Sequence, residues 1–297
     1  MTSFSEYRTF CKIVELKSIT AAAKALHKSV PAVSKQLGKL EAGLSVQLID
    51  RSTKAITVTA LGEKFYQKCK QILLSVEDAE QALKDETSTA SGKLVLSFPE
   101  VLLRTPLMAL ITKFGRLYEN IQFDLRVSNT PDNLINDGID FAFRIGSLED
   151  SRLTANKLFP VRLKCIASPD YISVYGKPTS LSEAFDQHKM LLPAFLNLSE
   201  NVKQLLNHPE KLSLHQSHLM NSDRMIFDAV MQGMGVTALL DVSIQSQLDK
   251  GQLIHLIPEQ KLPQQDVFLL YHNRDYMPEK MRLFKEFIKQ EYSKCTS

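Results

Sequence analysis

The chain has 297 residues, 44% hydrophobic and 23% charged, a balance that excludes a disordered polymer and leaves room for about two domains. Its net charge is only +3, but the first 60 residues carry nine Lys/Arg against four Asp/Glu, an excess of +5, and the remainder is net −2. Four scattered cysteines (11, 69, 165 and 295) argue against a zinc site or a disulfide framework, and with no leader pattern and no apolar run of about 18 residues the sequence predicts a soluble, reduced, cytoplasmic chain without a membrane partner.

The first element is an amphipathic helix near 4–16, marked by Tyr7, Phe10, Ile13, Val14 and Leu16. Thr20 is placed to cap a second helix through Ala21–Leu26, whose alanines allow close helix crossing. Ser29 can cap a third helix, with Pro31 in its first turn, where a missing N–H costs nothing. Val33, Leu37 and Leu40 form that helix's buried face. The result is a helix-turn-helix whose second helix presents a small, polar and basic N-terminal edge, suited to a major groove. Val46–Ile49 and Ala55–Val58 then read as the strands of a wing, with Arg51 and Lys54 in its turn, placed for phosphates or the minor groove.

Residues 59–87 read as one long helix. Phe65, Cys69, Ile72, Val76, Ala79 and Leu83 step along it by 4, 3, 4, 3 and 4, the spacing of a coiled-coil seam, which predicts pairing with a second copy; the alternative, a helix lying on its own domain, needs a broader apolar stripe. Glu86–Gly92 is small and polar and reads as a hinge. From Lys93 the pattern alternates. Strands are expected at 94–96, 121–127, 141–145, 163–167, 190–192, 236–239 and 267–271, and helices at 105–118, 131–137, 169–175, 224–232 and 278–292. Such alternation predicts a parallel-rich α/β architecture.

At this point the residues resemble the LysR-type transcriptional regulators over nearly the whole chain. The most specific stretches are Ser18–Ala23, Leu26–Leu37, Leu40-Glu41, Leu48–Arg51 and Val58–Glu63; Asp140–Gly146, Ala167–Tyr171 and Gly233-Met-Gly235 extend the likeness. Departures are Val30, where the family often has Gln, Ser45, where it usually has Gly, and Leu240, where a proline is common. The resemblance implies an N-terminal, mainly-α winged helix-turn-helix (1–58) and a linker helix with hinge that dimerises (59–91). It also implies a C-terminal effector-binding domain (92–297) of two Rossmann-like subdomains, 92–162 with 267–297 and 163–266, like the type 2 periplasmic binding proteins.

The expected partners are therefore promoter or operator duplex DNA, a small-molecule effector, further copies of the chain as homodimer and homotetramer, and RNA polymerase. The recognition helix should run from Ser29 to about Ala42 and end at Gly43. Ser29, Val30, Pro31, Ala32, Ser34 and Lys35 are its candidate DNA contacts, with Arg51 and Lys54 from the wing; Ser18 and Ser29 also serve as caps. Ligands of open α/β sheets sit beyond the carboxyl ends of strands. Those ends are Ser97, Phe98, Pro99 and Glu100, then Ser128, Asn129 and Thr130, then Arg144 and Gly146, with Asn197–Ser199, Asn221, Ser222 and Asp223 able to close over them. Arg144 suits the carboxylate of a small organic acid; it could equally pair with Glu100, Glu149 or Asp150, and Glu100 and Asp223 could repel an anion or hold an amine.

Enzyme classes find little support. GxGxxG, Walker A, HExxH and GxSxG patterns are absent. His215 and His218 have no companion at metal-ligand spacing. The reading carries no catalytic residue, metal or cofactor. A transport-type binding protein, the other alternative, does not account for the basic N-terminal module.

Overall fold

The computed structural model describes residues 4–50, 56–85, 90–130, 133–146, 148, 153–194, 217–260, 262, 264–273 and 276–295. Two compact units divide near residue 90, with residues 135–138 and 276–279 grouped with the first.

The first unit contains α1 (Phe4–Leu16), α2 (Ile19–Ala25), α3 (Val30–Leu44), β1 (Ile49–Asp50), β2 (Thr57–Val58) and α4 (Ala60–Asp85). Phe10, Ile13, Ala22, Val33, Leu37 and Leu40 are almost wholly buried in one core. Ser18, not Thr20, caps α2: its side chain accepts from the Ala21 amide at 3.2 Å, and Thr20 is exposed. Ser29 caps α3 as expected, accepting from Ala32. That helix runs past Gly43 to Leu44 and stops at Ser45, which takes the left-handed conformation at φ 54°. The wing strands pair antiparallel, Ile49 opposite Val58. Arg51 and Lys54 lie outside the described residues.

The long helix serves its own unit first. Tyr66, Cys69 and Leu73 are buried in the helix-turn-helix core, and Phe65 packs against Tyr7 and Phe10 with ring centroids 5.7 and 5.6 Å apart. Cys69 is hydrogen-bonded to Cys11, and that bond, with burial, pushes the Cys11 thiol pKa up. Cys69, at the start of the expected interchain seam, is thus buried in the core of its own chain, while Phe65 beside it is half-buried. Gly62 permits this packing: a Cβ there would stand 2.1 Å from the Leu48 carbonyl oxygen.

The second unit contains β3 (Gly92–Phe98), a 3-10 turn (Glu100–Arg104), α5 (Leu107–Leu117), β4 (Ile121–Val127), β5 (Phe141–Ile145) and β6 (Leu153–Ala167). It continues with α6 (Pro169–Tyr175), α7 (Leu181–Gln187), β7 (Met190–Pro193), β8 (Ser217–Met220), α8 (Asp223–Met231), β9 (Thr237–Leu240), α9 (Asp241–Asp249), β10 (Ile254–His255), β11 (Gln264–His272) and α10 (Glu279–Cys295). The pairs β3–β4, β3–β5 and β7–β8 are parallel. Among the described residues the parallel-rich expectation holds in these pairs and in the Met190–Val236 bridge. The long strands β6 and β11 run antiparallel to each other, and β11 to β5. Residues 153–162 of β6 pair with β11, while 163–167 pair with β9 and β10. One continuous strand thus belongs to two sheet regions. A helix expected at 131–137 is a turn over 134–138 in its described part. Phe114, Phe141 and Phe284 meet edge-on or tilted between α5, β5 and α10.

Candidate nucleic-acid interface and effector cleft

On α3 the apolar positions Val33, Leu37 and Leu40 turn inward, which forces Pro31, Ala32, Lys35, Gly38 and Ala42 outward; all five are exposed. Val30 is also exposed, Ser34 half-buried. This outer face is small: apart from Lys35, no side chain on it would keep the helix backbone from a groove. A Cβ added at Gly38 would meet nothing within 4 Å, so the glycine is not required by packing within the chain.

The neighbouring lysines have structural partners. Lys28 donates to Gln36 Oε1 at 2.9 Å and Ser5 Oγ at 3.0 Å, and Thr9 Oγ1 donates to the same Gln36 oxygen at 2.8 Å. This network ties α1 to α3. Lys39 Nζ lies 2.8 Å from the carboxylate of Glu6, a buried residue. Lys35 has no ion-pair or hydrogen-bond partner among the described residues. Glu41 accepts from the amides of Leu48 and Ile49 at 2.8 and 3.1 Å and so anchors the wing to α3; nothing in local sequence periodicity signals that bond.

Farther along α4 an apolar stripe emerges from its own core. Ile72, Val76, Ala79 and Leu83 line a shallow groove with Ser75 and Glu80, and Leu83 is 71% exposed.

In the second unit the expected cleft residues form a bonded lattice. Ser97, next to last in β3, is buried; its Oγ accepts from Arg144 Nη2 at 3.3 Å. The same nitrogen reaches the Thr130 carbonyl at 3.3 Å, and Nη1 donates to the Phe143 carbonyl at 2.7 Å. Arg144 thus bonds three uncharged oxygens, from β3, from β5 and from the segment after β4. Ser128 Oγ donates to the Thr130 carbonyl, and Asn129 Oδ1 accepts from the Glu100 amide. Phe98 is buried; Pro99 precedes the 3-10 turn without a side-chain cap. Gly146, at φ 90°, donates its N–H to Asp266.

Glu100 reaches the other sheet region. Its carboxylate accepts from Ser222 Oγ at 2.9 Å and from the Arg224 amide at 3.3 Å, so it sits at the N-terminus of α8, where helix dipole and unpaired amides favour negative charge. Asp223 lies beside it and is buried, while Asn221 is exposed. Burial pushes the Asp223 carboxyl up to about 6; Arg104 and the Val101 amide oppose that rise, and Glu100 adds to it. Asn197–Ser199, Glu149 and Asp150 lie outside the described residues. Among the described residues no group of three potential metal ligands occurs, and no helix is long and apolar enough to cross a membrane.

Residues 4–63 match the bacterial regulatory helix-turn-helix proteins of the lysR family, and residues 87–293 match the LysR substrate binding domain. The HTH-type transcriptional regulator CrgA of Neisseria meningitidis serogroup C is 30% identical over 294 residues, covering 98% of this chain and 97% of CrgA. A solved structure of CrgA from N. meningitidis, described as a LysR-type transcriptional regulator, has a TM-score of 0.62 at 28% identity, with 98% and 99% of the two chains covered. The full-length Vibrio cholerae virulence activator AphB gives 0.59 at 27% identity, covering 96% and 98%.

Proposed function

The chain belongs to the LysR family of bacterial transcriptional regulators, and from that premise we propose how its two units divide the work. It is a sequence-specific DNA-binding regulator controlled by a small-molecule effector. The DNA contacts come from the N-terminal edge of α3: Ser29, Val30, Pro31, Ala32, Ser34 and Lys35 enter the major groove, and Arg51 and Lys54 of the wing hold phosphates. The observation that carries this assignment is the unpartnered Lys35 on an outer helix face otherwise made of small side chains, beside lysines that are occupied within the fold. A helix must approach base edges closely to read them, and a free cation there can donate to guanine.

The exposed stripe Ile72–Leu83 pairs with the same stripe of a second copy, and two such dimers form the tetramer. The effector is a small organic acid bound by Ser97, Thr130 and Arg144, with Glu100, Ser222 and Asp223 as the contacts that change when it enters. A ligand that favours one arrangement of these contacts shifts the regulator between states with different DNA geometry. The protein works in the cytoplasm, with RNA polymerase as the recipient of the signal, and has no catalytic role.

The test is a gel shift and footprint on the intergenic DNA upstream of its own gene. Gly38→Leu is the sharpest variant. A Cβ there meets nothing within 4 Å and helix propensity rises, so the melting temperature should hold or rise; on the groove-facing helix surface it should abolish the footprint. An intact footprint with Gly38→Leu would remove α3 from the groove.

A further inference from the structure

Two cysteines from different helices meet in the core of the first unit. Cys11 lies on α1 and Cys69 on α4, and both are buried in the same cluster. Their side chains are hydrogen-bonded to each other. The helices are held in register on either side of the pair. Phe10 meets Tyr66 and Phe65, with ring centroids 6.5 and 5.6 Å away, and Lys70 bonds Glu15 at 2.6 Å. Cys165 is a contrast: it is buried in the second unit, and burial alone pushes its thiol up to about 12. A solitary covered thiol of that kind behaves as a small apolar side chain.

The shared bond makes the two sulfurs of the pair unequal. Cys11 donates, and its thiol pKa is pushed up; Cys69 accepts, and the bond draws its thiol below the ordinary cysteine value against the effect of burial. The sulfur that gives up its proton more readily is the one that attacks an oxidant. The other stands in hydrogen-bond contact with whatever forms on it.

We propose that Cys11 and Cys69 are an oxidisable pair, which hydrogen peroxide converts to an intrachain disulfide stapling α1 to α4. First, the Cys69 sulfur attacks one peroxide oxygen and the O–O bond breaks. That oxygen stays as the sulfenic acid, and the other leaves as water with the thiol proton of Cys69. Next, the Cys11 sulfur attacks the sulfenic sulfur, the S–O bond breaks, and a second water leaves with the Cys11 proton. Two electrons pass from the sulfurs to the peroxide. The reaction needs no bound ligand, because each sulfur has its partner in the other. Both sulfurs are covered, so the oxidant enters when α1 opens locally from α4. The staple encloses α2, α3 and the wing in one covalent loop and so restricts the unfolded state of the whole helix-turn-helix unit.

Peroxide treatment of the full-length chain, then alkylation in denaturant and peptide mapping, tests the pair. Peptides joined through Cys11 and Cys69 should appear and should separate again with dithiothreitol. The melting temperature of the first unit should rise by about 5–10 °C on oxidation and return on reduction. Urea well below the unfolding midpoint should speed the reaction, and the rate should level off at high peroxide as opening becomes limiting. Cys11→Ala removes the resolving thiol; Cys69 should then stop at the sulfenic acid, captured by dimedone, with no gain in melting temperature. Recovery of both cysteines in alkylated form after peroxide in low urea overturns the proposal. So does either of them joined to Cys165 or Cys295 instead, or a wild-type sulfenic acid that persists without a disulfide.

Discussion

The two units solve opposite problems with their polar side chains. On α3 the groups that hold the fold are separated from the surface offered outward: Ser29 caps, Lys28 and Lys39 pair internally, and Lys35 stands free. In the cleft no such separation exists. Arg144, Ser97, Glu100 and Ser222 are bonded to one another's strands and helices. A surface that reads a stiff duplex gains from being finished before contact. A cleft that must report occupancy needs bonds that a ligand can exchange. The difference teaches that the first unit should respond to mutation as a rigid body and the second as a set of exchangeable contacts.

The strongest way to break this contrast is Gly62→Ala. Its Cβ would overlap the Leu48 carbonyl at the junction of wing and α4, and backbone must move to relieve it. A loss of about 3 kcal/mol or more is expected. Calorimetry should show the first unit melting early while the second keeps its own transition, with DNA binding lost and effector binding kept. A single transition that moves as a whole would contradict the independence of the two units.

Next in size is the pair Lys35→Ala and Lys39→Ala. The first should weaken specific DNA binding by about 1–3 kcal/mol, with the melting temperature unchanged. The second removes the Lys39–Glu6 ion pair at a buried carboxylate and should cost about 1 kcal/mol of stability, discounted because Lys39 is largely exposed. If the two variants exchange these phenotypes, the division between structural and reading lysines is wrong.

What could be read in advance follows the same line. The caps at Ser29 and the buried triad Val33, Leu37 and Leu40 are local, so their spacing revealed them. Thr20 was misplaced as a cap because Ser18, two residues earlier, offers the same hydroxyl. The seam on α4 has one period throughout, and period cannot say whether the covering atoms belong to this chain or another. Only packing shows that Cys69 is buried in its own unit. In the second unit the strand ends were legible, but Glu100 meets Ser222 across 122 residues, and no short pattern encodes such a bond. The first half of β6 was missed because burial alternates there but hydrophobicity does not follow it: Thr154 and Asn156 lie on the more buried side and Ala155 on the exposed one. Helices α7 and α9 were missed because each is short and largely polar.

Asp223 sharpens the cleft half of the comparison. Its carboxyl titrates near 6 in the fold, above the ordinary aspartate value of about 3.9. The folded chain therefore holds this proton more tightly than the unfolded chain. The contribution favours the fold fully below about pH 4 and is lost as pH rises through about 6. Arg104 and the Val101 amide favour the charged form, and Glu100 opposes it. Across that window the wild type should lose on the order of 1 kcal/mol that Asp223→Asn keeps. Denaturant melts at pH 4.5 and 7.5, compared between the two proteins, measure it; parallel changes would remove Asp223 as the source.

The smallest effect concerns how the first unit is finished. Helices α1, α2 and α3 are each followed by a residue in the left-handed region that is not glycine: Lys17 at φ 48°, His27 at 51° and Ser45 at 54°. Such a conformation costs an L-residue roughly 1–2 kcal/mol, partly offset because glycine has more freedom to lose on folding. Ser45 is exposed and follows the last turn of α3, where its N–H reaches back to the Ala42 and Glu41 carbonyls. Glycine can make the same bonds through its backbone. Ser45→Gly should therefore stabilise the first unit by about 0.5–1 kcal/mol and leave DNA affinity unchanged, since the reading edge lies at the other end of the helix. A gain in stability accompanied by weaker DNA binding would mean that Ser45 touches the duplex, and that this end of α3 also reads DNA.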